Sequence, residues 1–220
     1  ARFTLFRKDS SCVPMNANVT KSNSGKLLIA VLAMAMIVAG CAVVFSDETQ
    51  AATVDEKTFL DEITGGSGVY TVDGDEEVTI TSPITNLKEI KLADGVQNGS
   101  LTINFQASEK YQAMIVVDDT DGLTIDGNVK VTLNMTSSIT DASDGLTVFG
   151  GNSTPDKAVN STGTVTVTNG AALTISQDAN AHGASWRAGK LVVSEGATVD
   201  FNKANSTGSM EVDLDNATLK

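Results

Sequence analysis

Two stretches of this chain concentrate residue types that do chemistry. Asp118, Asp119, Thr120, Asp121 and Gly122 stand consecutively. Carboxylates at this density supply the several oxygen ligands that Ca2+ takes, so Asp118, Asp119 and Asp121 are the candidate ligands for a Ca2+ cofactor. The spacing departs from an EF-hand loop, because no Glu stands at the twelfth position. Asp and Gly also favour turns, which accounts for the same residues with no ligand at all. Asp73, Gly74, Asp75, Glu76 and Glu77 form a second acidic run that reads the same way. The other stretch is DANAHGASWRAG (178–189), which holds the single His and the single Trp, His182 and Trp186. Trp186 offers a face on which a sugar ring can stack, with Arg187 and Asp178 to bond its hydroxyls. The plain alternative is a Trp that covers apolar surface, with solvated neighbours. A lone His lacks the partners of a zinc site. No Gly-x-Ser-x-Gly, phosphate loop or His-containing constellation is present, so no catalytic residue is expected.

These residues sit on a chain that repeats itself. GTVTVTNGAALTI (163–175) returns without gaps as GKLVVSEGATVDF (189–201). Each copy is a Gly, an alternating apolar strand, a polar corner ending in Gly, an Ala and a second alternating strand. Val165, Val167, Leu173 and Ile175 match Leu191, Val193, Val199 and Phe201. Looser echoes begin at Gly122 and Gly208, so the repeats start 41, 26 and 19 residues apart. Such repetition marks an array whose units bury their faces against neighbours.

Side-chain parity limits how the copies pair. A two-residue hairpin at Asn169-Gly170 would send Leu173 and Ile175 to the face opposite Val165 and Val167, which excludes it. A three-residue bulged hairpin keeps parity, and so does the corner of a parallel solenoid. Uneven spacing favours the solenoid, since loops bulging from corners absorb it. The expected fold is therefore all-β, a right-handed parallel β-helix over residues 67–220, with an antiparallel β-sandwich as the alternative. Strands are expected at 69–72, 77–81, 88–92, 100–105, 113–117, 123–125, 129–133 and 146–149, then in the repeats. A short helix capping the repeats is expected over 53–66. Thr53 and Glu56 have capping-box spacing, Phe59 and Ile63 share a face, and Gly65-Gly66 supplies the stop.

Upstream of this body, residues 27–45 are a charge-free run of 19, LLIAVLAMAMIVAGCAVVF, after Lys21 and Lys26. Its length suits a membrane span, and the preceding lysines hold its start in the cytoplasm, so the chain beyond it is exported. It is a signal peptide cleaved within residues 46–52, a retained transmembrane anchor, or a lipoprotein signal with lipid on Cys41. Residues 1–26 form a basic flank in which Met15 looks like a natural start. The chain stops inside an apparent repeat, which predicts a longer natural protein.

Aromatic residues are only 5%, so the core must come from Val, Leu, Ile and Thr, which suit strands. The charge is −12 overall, and residues 53–220 alone carry 10 basic and 24 acidic groups, a net of −14. Phosphate backbones repel such a body, so nucleic acid is not an expected partner. Both cysteines, Cys12 and Cys41, precede the body, which excludes a disulfide framework there. Asn98, Asn134, Asn152, Asn160, Asn205 and Asn216 each head an Asn-x-Ser/Thr acceptor for glycosylation.

The repeat TVTVTNGAALTIS and its partner KLVVSEGATVDFN resemble rungs of right-handed parallel β-helices in adhesins. Autotransporter passengers and the adhesin-like surface proteins of methanogenic archaea are the families concerned. The head of the chain, residues 25–52, also resembles export segments of such archaeal proteins. The resemblance implies a β-helix at the cell surface with no catalytic residue. Its expected partners are the membrane, through the apolar segment, and glycans or neighbouring cell surfaces. The runner-up function is a carbohydrate-active β-helix, either a polysaccharide lyase or a sugar-binding module.

Overall fold

Alternation of apolar with polar residues sets the strands, and the corners between them carry Gly, Asn and Asp. A computed structural model of the chain describes residues 50–106, 113–136, 146–151, 160–177, 184–202 and 210–220. All of them fall within one unit, Thr49–Lys220. The expectations for residues 1–49, including the apolar run 27–45 and Cys41, lie outside the described residues, as do Asp178, His182, Asn152 and Asn205. Among the described residues no helix is long and apolar enough to cross a membrane.

In chain order the elements are β1 (Ala52–Val54), α1 (Glu56–Gly65), β2 (Val69–Val72), β3 (Asp75–Ile80), β4 (Glu89–Leu92), β5 (Gly99–Phe105) and β6 (Ala113–Val116). Then come β7 (Leu123–Asp126), β8 (Val129–Met135), β9 (Leu146–Gly150), β10 (Thr164–Val167), β11 (Ala172–Gln177) and β12 (Ala184–Trp186). The last four are β13 (Lys190–Ser194), β14 (Thr198–Asp200), β15 (Glu211–Asp215) and β16 (Thr218–Leu219). The described residues are all-β apart from the one helix.

The strands form three sheets, ordered β1-β3-β5-β8-β11-β14-β16, β2-β4-β7-β10-β13-β15 and β6-β9-β12. From β4 to β14 the chain visits the six-stranded, the seven-stranded and the three-stranded sheet in turn, beginning again at β7, β10 and β13. Every strand pairing among the described residues is parallel. The antiparallel sandwich is thereby overturned. A bulged hairpin would set Val165 opposite Leu173, whereas Val165 lies between Leu123 and Leu191, and Leu173 between Val131 and Val199.

The connections sort by position. From the six-stranded sheet to the seven-stranded one they are short, from two residues (73–74, 127–128) to six (93–98). Those entering or leaving the three-stranded sheet run from three residues (187–189) to thirteen (151–163).

Parallel register turns sequence alternation into continuous apolar columns. Tyr70, Ile90, Ile125, Val167, Val193 and Leu214 are successive partners across the six-stranded sheet. Leu101, Val131, Leu173, Val199 and Leu219 do the same in the seven-stranded sheet. All but the last member of each column is buried. Each such Val, Leu or Ile contributes about 1.5–3 kcal/mol on leaving water. The register also corrects the repeat spacing. Lys190 pairs with Thr164, an offset of 26, but Leu123 pairs with Val165, and Val212 with Leu191, offsets of 42 and 21. The apolar columns set the alignment, and Gly122 stands one residue out of step with Gly163.

The helix starts later than the capping box implies. Thr53 belongs to β1, and Asp55 is the N-cap, accepting from the Thr58 N–H at 3.0 Å. Glu56 instead reaches across to accept from the backbone N–H groups of Thr81 (2.8 Å) and Ser82 (2.9 Å). Glu62 accepts from the Thr71 N–H at 3.1 Å. Phe59 and Ile63 are buried, and the Phe59 ring lies 4.4 Å from that of Tyr70. A charge-assisted bond at either end and an apolar face between them fix α1 on the first strands.

Candidate functional site

The acidic run 118–122 forms a corner between the three-stranded and six-stranded sheets. Asp118 closes the turn on itself, its Oδ1 accepting from the N–H groups of Thr120 (2.7 Å) and Asp121 (3.1 Å). Those two bonds hold its carboxyl below the usual carboxylate range. Asp119 reaches the next corner along the stack, accepting from the Ser161 hydroxyl at 2.9 Å and the Thr162 N–H at 2.7 Å. It is likewise held low, first by the Ser161 hydroxyl. Asp121 forms an ion pair with Lys88, 2.5 Å away, which pushes the lysine up.

The three Ca2+ candidates therefore point to three different partners. Among the described residues no group of three or more His, Cys, Asp or Glu side chains is placed to hold a metal ion. The acidic run acts in this geometry as corner chemistry, which the Asp and Gly content also explains. The second run does the same. Glu76 accepts from the Tyr70 hydroxyl (2.9 Å) and the Asp73 N–H (3.2 Å), and Asp75 accepts from the Ser100 hydroxyl at 2.6 Å.

Trp186 corrects the sugar-platform expectation. It is 2% exposed, with Phe149 at 4.5 Å and Phe201 at 5.9 Å between ring centroids. Edge-on aromatic packing in the core leaves no free indole face for a ring to stack on. Alternation explains this: Trp186 ends β12 on the inward side, and Arg187 takes the outward one. The Arg187 guanidinium Nη1 donates to Asn160 Oδ1 at 3.4 Å, while its carbonyl accepts from the Ser161 N–H at 2.7 Å. The corners thus stack Asp119, Ser161 and Arg187 side by side, though they are far apart in sequence. Asp178, the third sugar candidate, lies outside the described residues.

No family model matches this chain. Neither curated proteins nor solved structures yield a match. Function must therefore be argued from the residues themselves.

Of the acceptor asparagines that are described, Asn98, Asn160 and Asn216 are exposed. Asn134 is half-buried within β8, and its Nδ2 donates to Asn104 Oδ1 at 3.0 Å, continuing a ladder from Glu77 to Asn104 at 2.6 Å. Ser161 is the residue that sequence reading passed over. It is the one buried polar side chain among the described residues, within hydrogen-bond reach of Val117 O, Asp119 and the Gly163 N–H. Its position inside the Asn160-Ser161-Thr162 acceptor drew attention to the asparagine instead. The available signal was its place two residues before the Gly that opens the repeat.

Proposed function

We propose that this protein is an exported, non-catalytic β-solenoid that displays a binding or protective surface at the cell exterior, like the adhesins it resembles. The observation that carries the proposal is the in-register apolar column running through successive passes of the chain, from Tyr70 to Leu214. Repeated visits to three parallel sheets support a right-handed parallel β-helix, with α1 as its N-terminal cap. Such an architecture spends its buried residues on stacking and leaves outward side chains and corners to vary. The charge-free run at 27–45 supports export, and the acidic body suits a hydrated exterior.

The test is topology in cells. Expressed with its own N-terminal segment in a bacterial host, the body should be cleaved by protease added to intact cells. A body that is protected until the cells are lysed, and recovered with the cytosol, would overturn the proposal.

A second reading, a carbohydrate-active β-helix, draws on the corner that sets Asp119 and Ser161 beside Arg187 and Asn160. Incubation with acidic polysaccharides, with and without Ca2+, separates the two. Cleavage that Asp119→Ala abolishes would establish the second reading.

A further inference from the structure

We infer that Asn98 is a site of spontaneous deamidation in the folded protein, and that the fold protects Asn169, the other asparagine followed by glycine. The inference rests on local geometry and not on where the protein resides. Glycine after asparagine leaves the backbone nitrogen uncrowded by a side chain, so that nitrogen can reach the amide carbon. In the step, the Gly99 N–H gives its proton to water or hydroxide and the nitrogen bonds to Asn98 Cγ. The Cγ–Nδ2 bond breaks and ammonia leaves, closing a succinimide. Water then opens the ring at either carbonyl, giving aspartate or, with the main chain rerouted through the side chain, isoaspartate.

The two Asn-Gly pairs are held differently. Asn98 ends the loop 93–98 between β4 and β5, is exposed, and its side-chain amide bonds no group among the described residues. Asn169 sits in the corner between β10 and β11 with φ +54°, and its Nδ2 donates to Asp126 Oδ1 at 2.6 Å. The Gly170 N–H, the nucleophile there, donates to the Glu195 carbonyl at 3.0 Å. Cyclisation at Asn169 must therefore first break a charge-assisted bond and strip a satisfied backbone donor. Damage at Asn98 falls at a tight place: a Cβ on Gly99 would meet the Gly74 carbonyl oxygen at 2.7 Å and Leu92 Cδ2 at 3.0 Å. An extra main-chain carbon just ahead of it works against that packing and loosens the start of β5. The reaction also removes the acceptor asparagine of Asn98-Gly99-Ser100.

The test incubates the purified full chain in warm, mildly alkaline buffer and follows the Asn98 and Asn169 peptides by mass spectrometry after digestion, with isoaspartate read by enzymatic methylation. Conversion at Asn98 is expected to run about tenfold or more faster than at Asn169, the factor that one charge-assisted hydrogen bond supplies. In urea, where the corner contacts are gone, the two rates should converge. Asp126→Ala, which removes the partner of the Asn169 amide, should speed conversion at Asn169 and leave Asn98 unchanged. Equal rates in the folded chain, or faster conversion at Asn169, would overturn the inference. So would a preference for Asn98 that persists undiminished in urea, which would assign it to the flanking sequence, or an Asn169 rate that Asp126→Ala does not move.

Discussion

The Ser161 hydroxyl lies 2.9 Å from Asp119 Oδ1 and 2.8 Å from the carbonyl oxygen of Val117, and accepts from the Gly163 N–H at 2.8 Å. One buried side chain therefore ties two successive corners together and satisfies a backbone donor of its own corner. Ser161→Ala removes the acceptor for the Gly163 N–H and a donor to Asp119. The expected loss is about 1–3 kcal/mol, the cost of a buried group left unpaired. Urea unfolding of the variant, with an unchanged slope and a lower midpoint, is the expected result.

Gly163 is fixed by space. A Cβ there would collide with the Asp118 carbonyl oxygen and come within 2.9 Å of Ser161 Oγ and of Val117 Cγ1. Backbone cannot give way as a side-chain tip can, so Gly163→Ala should cost about 1–3 kcal/mol. Gly65, with nothing within 4 Å of its would-be Cβ, is the control. Gly65→Ala should leave the melting temperature unchanged or raise it slightly.

Position within a column should decide the cost of truncation. Leu173 is fully buried between Val131 and Val199, and Leu173→Ala should cost about 2–5 kcal/mol. Leu219→Ala, at the exposed end of the same column, should cost less than half as much in the same denaturation assay. Equal losses at both positions would contradict the buried column.

Acid should weaken the fold through the corners. Asp119, Asp118 and Asp55 are held low, chiefly by the Ser161 hydroxyl, the Thr120 N–H and the Thr58 hydroxyl respectively. An unfolded chain takes up protons on such groups near pH ~3.9, before the folded chain does. The unfolded state then binds more protons, so this stability is present above that pH and is lost as pH falls toward the lower folded values. Asp119→Asn should make the acid limb of a stability-versus-pH curve shallower. An unchanged limb would remove Asp119 from this account.

Trp186 should report on the interior. As the single Trp, packed against Phe149 and Phe201, it should emit at short wavelength and shift to the red on unfolding. Oligosaccharides added to the folded protein should leave its emission unchanged.

Strand positions were legible because the alternation is strict: residues 69–72 match β2 to the residue, and most others agree within one or two. The pairing of Thr164 with Lys190 was legible too, since the two strong copies align without gaps. What was not legible depended on bonds between distant residues. Thr53 and Glu56 have the spacing of a capping box, yet Glu56 accepts instead from the backbone N–H groups of Thr81 and Ser82. Trp186 reads as a loop aromatic in sequence because β12 is only three residues long. Its burial depends on Phe149 and Phe201 from other passes. The acidic run was legible as chemistry but not as three separate bonds, because Ser161 and Lys88 are remote in the chain.

The unequal connections described for the fold give the molecule one permissive seam. Epitopes, tags or natural length variants placed where the chain enters or leaves the three-stranded sheet leave the two larger sheets in step, because neighbouring passes hold the alignment. The same additions at the tight turns between those sheets would throw the apolar rows out of phase. Added length is expected to be tolerated along that flank and resisted at the tight turns.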